Sequence, residues 1–337
     1  MQKQIIRRQP VPDQHLSEVV HPLIRQIYAS RGIDSMQQLV LKTSQLQAVS
    51  SLKGLEQACP ILHQAFIDNR KIVVVGDFDA DGATSTALMM EALTMLGSRH
   101  HDFIVPNRFE YGYGLTPEIV DIARDQGAEV LVTVDNGISC LAGVKRAKEL
   151  GLQVIVTDHH LPGQELPIAD AIVNPNQPGC EFASKSIAGV GVAFYLMLAL
   201  RKYLRDLSWF EQRGLAEPNL AQLLDLVALG TVADVVSLDA NNRILVAQGL
   251  NRIRAGQTRP GIQALIEVAG KNQQRMVASD FGFALGPRIN AAGRLDDMAY
   301  GINCLLATDM MSARAMAMEL DHLNKARREI EQGMQQE

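Results

Sequence analysis

The chain has 337 residues, 47% hydrophobic and 20% charged, with a net charge of −5. That make-up suits one large or two medium globular domains, and a globally acidic chain does not advertise nucleic-acid binding through its overall charge. The four cysteines (Cys59, Cys140, Cys180, Cys304) stand far apart with no CxxC and no Cys/His cluster, which fits reduced thiols and argues against a disulfide framework or a zinc–thiolate site.

The amino terminus, MQKQIIRRQPVPDQ, lacks an apolar core of signal-peptide length. Residues 1–70 read as helices and turns leading in. From 71 short β-rich runs alternate with helical stretches: KIVVV at 71–75 and a helix over 84–96; DFIVP at 102–106 and a helix near 117–126; EVLVTV at 129–134 and a helix over 141–150; then QVIVT at 153–157 and DAIVN at 170–174. Continuous Val/Ile strands separated by helices predict an α/β fold with a parallel sheet covered on both faces. Ligands of such open sheets bind at the carboxyl ends of the strands. After 185 the pattern turns largely helical, over 187–204, 220–229 and shorter segments to about 305, with a loop at 206–219. The longest apolar run, residues 187–200, is short for a bilayer and usual for a buried helix, so no membrane segment is expected. From 312 one helix is expected to run to the end, with Met316, Leu320, Leu323, Ile330 and Met334 on a stripe that needs a partner. Between Arg243 and Arg294 eight Lys/Arg face two acids, a local basic zone that could follow a phosphate backbone or simply be a solvated helix face.

The strand ends carry the chemistry. Residues 76–87, GDFDADGATSTA, close the first strand with Asp77, Asp79 and Asp81; the third strand ends in VDNG with Asp135; the fourth ends in TDHH with Asp158, His159 and His160; GTVADVV later supplies Asp234. Unpaired carboxylates at the edge of a core repel one another and resist desolvation, so a cation should sit among them. Several Asp with one or two His suit a pair of Mn²⁺ or Mg²⁺ ions sharing a bridging carboxylate. Two such ions about 3.5–4 Å apart activate water and neutralise charge on a phosphoryl group in flight. A calcium loop is excluded because Leu88 stands where its closing Glu belongs, and no P-loop is present. Singly, each motif has a plain structural reading: Asp135 as a turn residue, the two histidines as surface side chains.

In this order DFDADG, VDNG, DHH and GTVADVV resemble the motifs of the DHH phosphoesterase superfamily; PNRFEYGYGL (106–115) and GPRINAAGRLDD (286–297) look specifically like its RecJ branch of single-strand-specific 5′→3′ exonucleases. The resemblance covers the chain from about residue 40 onward. It implies metal ligation by Asp79, Asp81, Asp135, His159 and Asp234, with Asp81 and Asp135 in the bridging, catalytic role and Asp77 as a ligand or close neighbour. His160 would face the scissile phosphate, stabilising charge or protonating the leaving oxygen. Pyrophosphatase-type members carry a histidine two residues before the first aspartate; Val75 stands there in this chain, so one ion's shell is expected to be completed differently. Arg108 and Arg288 would bind a terminal 5′-phosphate, for which a guanidinium offers a bidentate fork. Asn290 and Arg294 would add backbone contacts, and Tyr111 and Tyr113 could stack bases.

The same resemblance implies a helical lead-in at 1–70, a catalytic domain at 71–305 and a connecting helix at 306–337, cut before DHH-associated and OB-type domains. The partners it implies are single-stranded DNA with a 5′ end, a single-strand-binding protein and a helicase, for a cytoplasmic monomer acting in repair and recombination. The alternatives are a DHH-type phosphodiesterase of short oligonucleotides or cyclic dinucleotides, and an inactive nucleic-acid-binding fragment.

Overall fold

Five strands build the centre of the fold: β1 (Ile72–Val75), β2 (His101–Ile104), β3 (Val130–Val134), β4 (Gln153–Thr157) and β5 (Ala171–Val173); β1, β3 and β4 are rich in β-branched residues, stiff at χ1 and largely buried, whereas the edge strand β2 is only partly buried. They form one parallel sheet in the order β2-β1-β3-β4-β5, with Ile72 opposite Val130 and Val130 opposite Gln153. The computed structural model describes residue 9 and residues 11–106, 110–295 and 297–336. They fall into two units, 1–45 and 46–337. In the smaller unit α1 (Pro22–Ser30) contributes Ala29 to a small core with Leu16 and Ile33.

In the larger unit the helices are α2 (Leu55–Asp68), α3 (Ala80–Leu96), α4 (Pro117–Asp125), α5 (Leu141–Glu149), α6 (Gly189–Asp206), α7 (Trp209–Arg213), α8 (Leu224–Ala233), α9 (Ala240–Arg254) and α10 (Pro260–Val268). A short α11 (Ala278–Asp280) leads through a π-helical turn (Phe281–Leu285) into α12 (Gly286–Leu295), followed by α13 (Met298–Leu306) and α14 (Met310–Gln336). One face of the sheet packs on α4 and α5; the other meets the larger core, to which α2, α3, α6 and α8 contribute. Among the described residues no helix is long and apolar enough to cross a membrane. The apolar run at 187–200 falls largely within α6, where it fills the core. All four cysteines are free.

The structure differs from the sequence expectations in four places. The unit boundary lies at 45, not 70, because α2 buries Leu55, Ala58, Cys59 and Leu62 in the larger core. Helix α3 begins at Ala80 rather than 84, since the Asp79 side chain caps it by accepting from the Asp81 and Gly82 amides. The expected loop at 206–219 contains α7, anchored where the buried Trp209 indole donates to the Leu96 carbonyl at 3.1 Å. The stripe on α14 is covered over its first half, with Ala313, Ala317 and Leu320 fully buried, while Ile330 and Met334 stay exposed.

Candidate metal centre

The strand order sends the connection after β1 one way and that after β3 the other, which opens a crevice beyond their carboxyl ends. Asp77 follows β1, Asp135 follows β3, and His159 and His160 follow β4. Asp135 has a φ of 62°, in the left-handed region that Asp tolerates because its short side chain adapts locally. Next to it, the Asn136 amide donates to the carbonyls of Val75 (3.1 Å) and Val134 (2.9 Å) and so ties the two strand ends together.

Helices complete the crevice. Asp81 accepts from the Gly189 amide through Oδ2 (2.6 Å) and from the Val190 amide through Oδ1 (2.9 Å), so the start of α6 meets a carboxylate, as its dipole favours. A Cβ at Gly189 would stand 2.7 Å from Oδ1 of Asp135, and one at Gly230 would stand 2.9 Å from Oδ1 of Asp81. Both helices therefore approach only because glycine faces the acids. Asp234, the C-cap of α8, is delivered to the same place from more than 150 residues along the chain.

Nε2 of His159 lies 3.0 Å from Oδ1 of Asp135, 3.6 Å from Oδ2 of Asp234 and 3.9 Å from Oδ2 of Asp81. The shortest of these distances would suit a hydrogen bond, yet Asp135 Oδ1, His159 Nε2 and Asp234 Oδ2 are all buried without a hydrogen-bond partner. Buried polar atoms are normally satisfied, and three orphans converging on one point are what an ion's ligands look like without it. Three overlapping sets have ligand atoms within 4.8 Å of one another: Asp77, Asp79 and Asp135; Asp81, His159 and Asp234; and Asp135, His159 and His160. Hard carboxylate oxygens with at most two imidazoles in a set fit Mn²⁺ or Mg²⁺.

Electrostatics agree. Burial, then the charge of Asp79, pushes Asp77 up to about 7. Burial and the surrounding aspartates hold Asp81 and Asp135 well above the usual carboxylate range, and burial with Asp79 raises Asp234 to about 6. Burial and the neighbouring His160 lower His159 to about 4, so its imidazole is neutral and fit to ligate. His160 is raised, chiefly by the 2.7 Å bond from its Nδ1 to Asp158. Burial works upward on Asp158, but His160 and the amides of Ile138 and His160 outweigh it and keep it low.

All seven residues expected at the centre, Asp77, Asp79, Asp81, Asp135, His159, His160 and Asp234, are thus brought together. The expected DNA-contacting residues fare differently. Arg108 lies outside the described residues. The Arg288 guanidinium is held by Asp321 on α14 (2.7 Å) and by the Ala284 carbonyl (2.6 Å). Asn290 accepts from the Ala80 amide at 2.6 Å, buttressing the start of α3. Arg294 is half exposed, 4.0 Å from Glu331. The basic zone is not one surface either: Arg259 is buried between Asp225 and Glu91, and Lys271 pairs with Asp280. Tyr113 stands edge-on to Phe78 (5.7 Å) and to His160 (6.5 Å), whereas Tyr111 packs against the smaller sheet-face core.

Two features escaped the sequence reading. Asp158 orients His160, a role that only the hydrogen-bond geometry reveals. The Asp225–Arg259–Glu91 network had a signal: a lone acid inside the apolar helix LLDLVALG needs a buried partner.

Known proteins share this fold. The family model described as the DHH family, N-terminal domain, matches residues 71–231. A single-stranded-DNA-specific exonuclease RecJ from Dickeya dadantii is 60% identical over 332 residues, 98% of this chain and 58% of that protein. The chain therefore spans somewhat more than half the length of that relative. The crystal structure of an exonuclease RecJ bound to manganese matches 85% of this chain and 69% of that one, at 37% identity and a TM-score of 0.74. RecJ of Thermus thermophilus in complex with Mg²⁺ matches 94% of this chain and 41% of that one, at 32% identity and a TM-score of 0.67.

Proposed function

Because the chain belongs to the RecJ family of DHH proteins, we propose that it carries the catalytic centre of a metal-dependent 5′→3′ exonuclease of single-stranded DNA, serving repair and recombination. The observation that carries this reading is the convergence of the orphaned Asp135 Oδ1, His159 Nε2 and Asp234 Oδ2 at the crevice between β1 and β3. Asp77, Asp79, Asp81, Asp135, His159 and Asp234 would hold two Mn²⁺ or Mg²⁺ ions, and Asp135 belongs to two of the three ligand sets. Such ions supply a water nucleophile at neutral pH and neutralise charge on the phosphoryl oxygens.

The chain's own residues do the rest. The buried carboxylates release their retained protons as ligation proceeds. Asp158 fixes the His160 ring through Nδ1, leaving Nε2 as the nitrogen available to substrate, and keeps the imidazole protonated to higher pH. His160 then gives its proton to the leaving 3′ oxygen as the bond from that oxygen to phosphorus breaks. The phosphate stays on the shortened strand, whose new end again carries a 5′-phosphate, and a 5′-mononucleotide is released. Of the expected DNA contacts, Arg294 is exposed enough to meet a phosphate, while Arg288 would have to exchange Asp321 for one.

The test is release of nucleotides from a labelled single strand with Mn²⁺, compared between this chain, a chain as long as the relatives and the Asp135→Ala variant of each. Release by the longer chain that Asp135→Ala abolishes supports the reading. Hydrolysis of di- and trinucleotides alone, with long strands untouched, would favour a phosphodiesterase of short oligonucleotides.

A further inference from the structure

Beside the metal centre, on the far side of His160, lies a cleft of about 820 Å³ that the reading above leaves without a task. Tyr113, Pro117, Ile138, Leu141 and Leu161 line it, with His160 and Asp158 on the wall shared with the centre. Three of these apolar side chains are exposed, Tyr113 by 49%, Leu141 by 41% and Leu161 by 79%. Large apolar groups gathered at one concave mouth of this size mark a small-molecule site rather than a protein-docking face. Thr116 and Ser139 also line it, but most of the lining is apolar, so a planar ring meets chiefly apolar surface and the Tyr113 ring.

We propose that this cleft receives the base of the 5′-terminal nucleotide, the one whose 3′ oxygen leaves. The inference rests on the exonuclease reading and adds the position of the departing nucleotide to it. His160 is the group that meets the 3′ oxygen, and it forms the boundary between the acid cluster and the cleft. A phosphodiester placed at the acids, with its 3′ oxygen at His160, has the sugar of the terminal nucleotide pointing past His160. The space beyond is this cleft. The Tyr113 ring, perpendicular to His160 at 6.5 Å, forms its side. Contact with Leu141, Leu161 and the Tyr113 ring is indifferent to base identity, because every base offers a π-face.

The experiment measures binding, by anisotropy, of a 3′-labelled 5′-phosphorylated pentathymidylate whose first linkage is non-hydrolysable, beside the same strand with an abasic first residue. The two strands are titrated against this chain and against its Leu141→Ser/Leu161→Ser variant with Mn²⁺ present. Both leucines are exposed, so the variant is expected to fold. Loss of the first base should weaken binding about tenfold in the unaltered chain. In the variant the intact strand should bind as weakly as the abasic one, so that the base no longer matters. An undiminished base effect in the variant overturns this inference and leaves the exonuclease reading standing. If neither strand binds the unaltered chain, this inference is overturned, and the exonuclease reading is decided separately by nucleotide release from the longer chain.

Discussion

Arg288 on α12 reaches Asp321 on α14, with Nε at 2.9 Å and an Nη at 2.7 Å from the same carboxylate oxygen. Both side chains are largely buried, and the guanidinium also donates to the Ala284 carbonyl, so the pair works as a clasp between two helices. Arg288→Ala should therefore cost about 1–3 kcal/mol of stability in urea denaturation, because Asp321 is left with the exposed Lys325 as its ion-pair partner among the described residues. An unchanged denaturation midpoint, with a DNA-binding salt slope reduced by about one, would instead make Arg288 a phosphate contact.

The metal-free centre should make the fold lose stability as the pH rises from acid to neutral. Asp77 is raised to about 7 and Asp234 to about 6, with Asp81 and Asp135 higher than usual as well. A carboxyl group whose folded pKa is raised contributes stability fully below its unfolded pKa and loses it as pH rises through the folded value. His159, lowered to about 4, has the opposite sign, but only between that value and 6.5, above which it is neutral in both states. Between about pH 4 and 7 the melting temperature of metal-free protein should therefore fall, because four raised carboxyl groups outweigh the one histidine. Saturating Mn²⁺ should reverse the fall. A flat profile that Mn²⁺ does not raise would contradict the acid cluster as described.

Asp158→Asn separates the orientation of His160 from ion binding. The substitution removes the chief cause of the raised His160 pKa while leaving an oxygen able to accept from the Ile138 amide. In a chain with measurable activity the alkaline limb of the pH profile should move to lower pH, with Mn²⁺ affinity unchanged by calorimetry. An unmoved limb would remove His160 as the proton donor.

Arg259 is expected to matter more for folding than its distance from the crevice suggests. Its guanidinium lies between Asp225, at the start of α8, and Glu91 on α3, with Asp225 almost fully buried. Arg259→Leu would leave a buried carboxylate uncompensated and should cost roughly 3–5 kcal/mol in denaturation. The paired variant Arg259→Leu/Asp225→Leu should recover much of that loss, which a purely volumetric effect would not.

The sheet was readable because β1, β3 and β4 are rich in Val and Ile, a pattern few alternatives produce. The acid cluster was readable because charge at a core's edge demands a counter-ion wherever it occurs. Arg288 and Asn290 were not, since an arginine near a phosphate and one clasping another helix look alike until tertiary neighbours are known. Likewise α2 read as a lead-in because nothing local says that Leu55 and Leu62 face the same core as β1. The start of α3 was placed late because Asp79 serves as both a cap and a candidate ligand, and only the former role marks a helix boundary.

At residue 135 two unrelated filters act on one side chain. The left-handed backbone admits glycine, asparagine and aspartate with little strain and most other residues only at a cost. The ion-binding role asks for an anionic oxygen, which two of those three lack. A point mutation at 135 is therefore penalised twice over, whereas one at Asp77, where only the chemistry selects, is penalised once. Under random mutagenesis with selection for a folded chain alone, position 135 should be enriched in those three residues, while position 77 should drift toward apolar residues that relieve the buried charge.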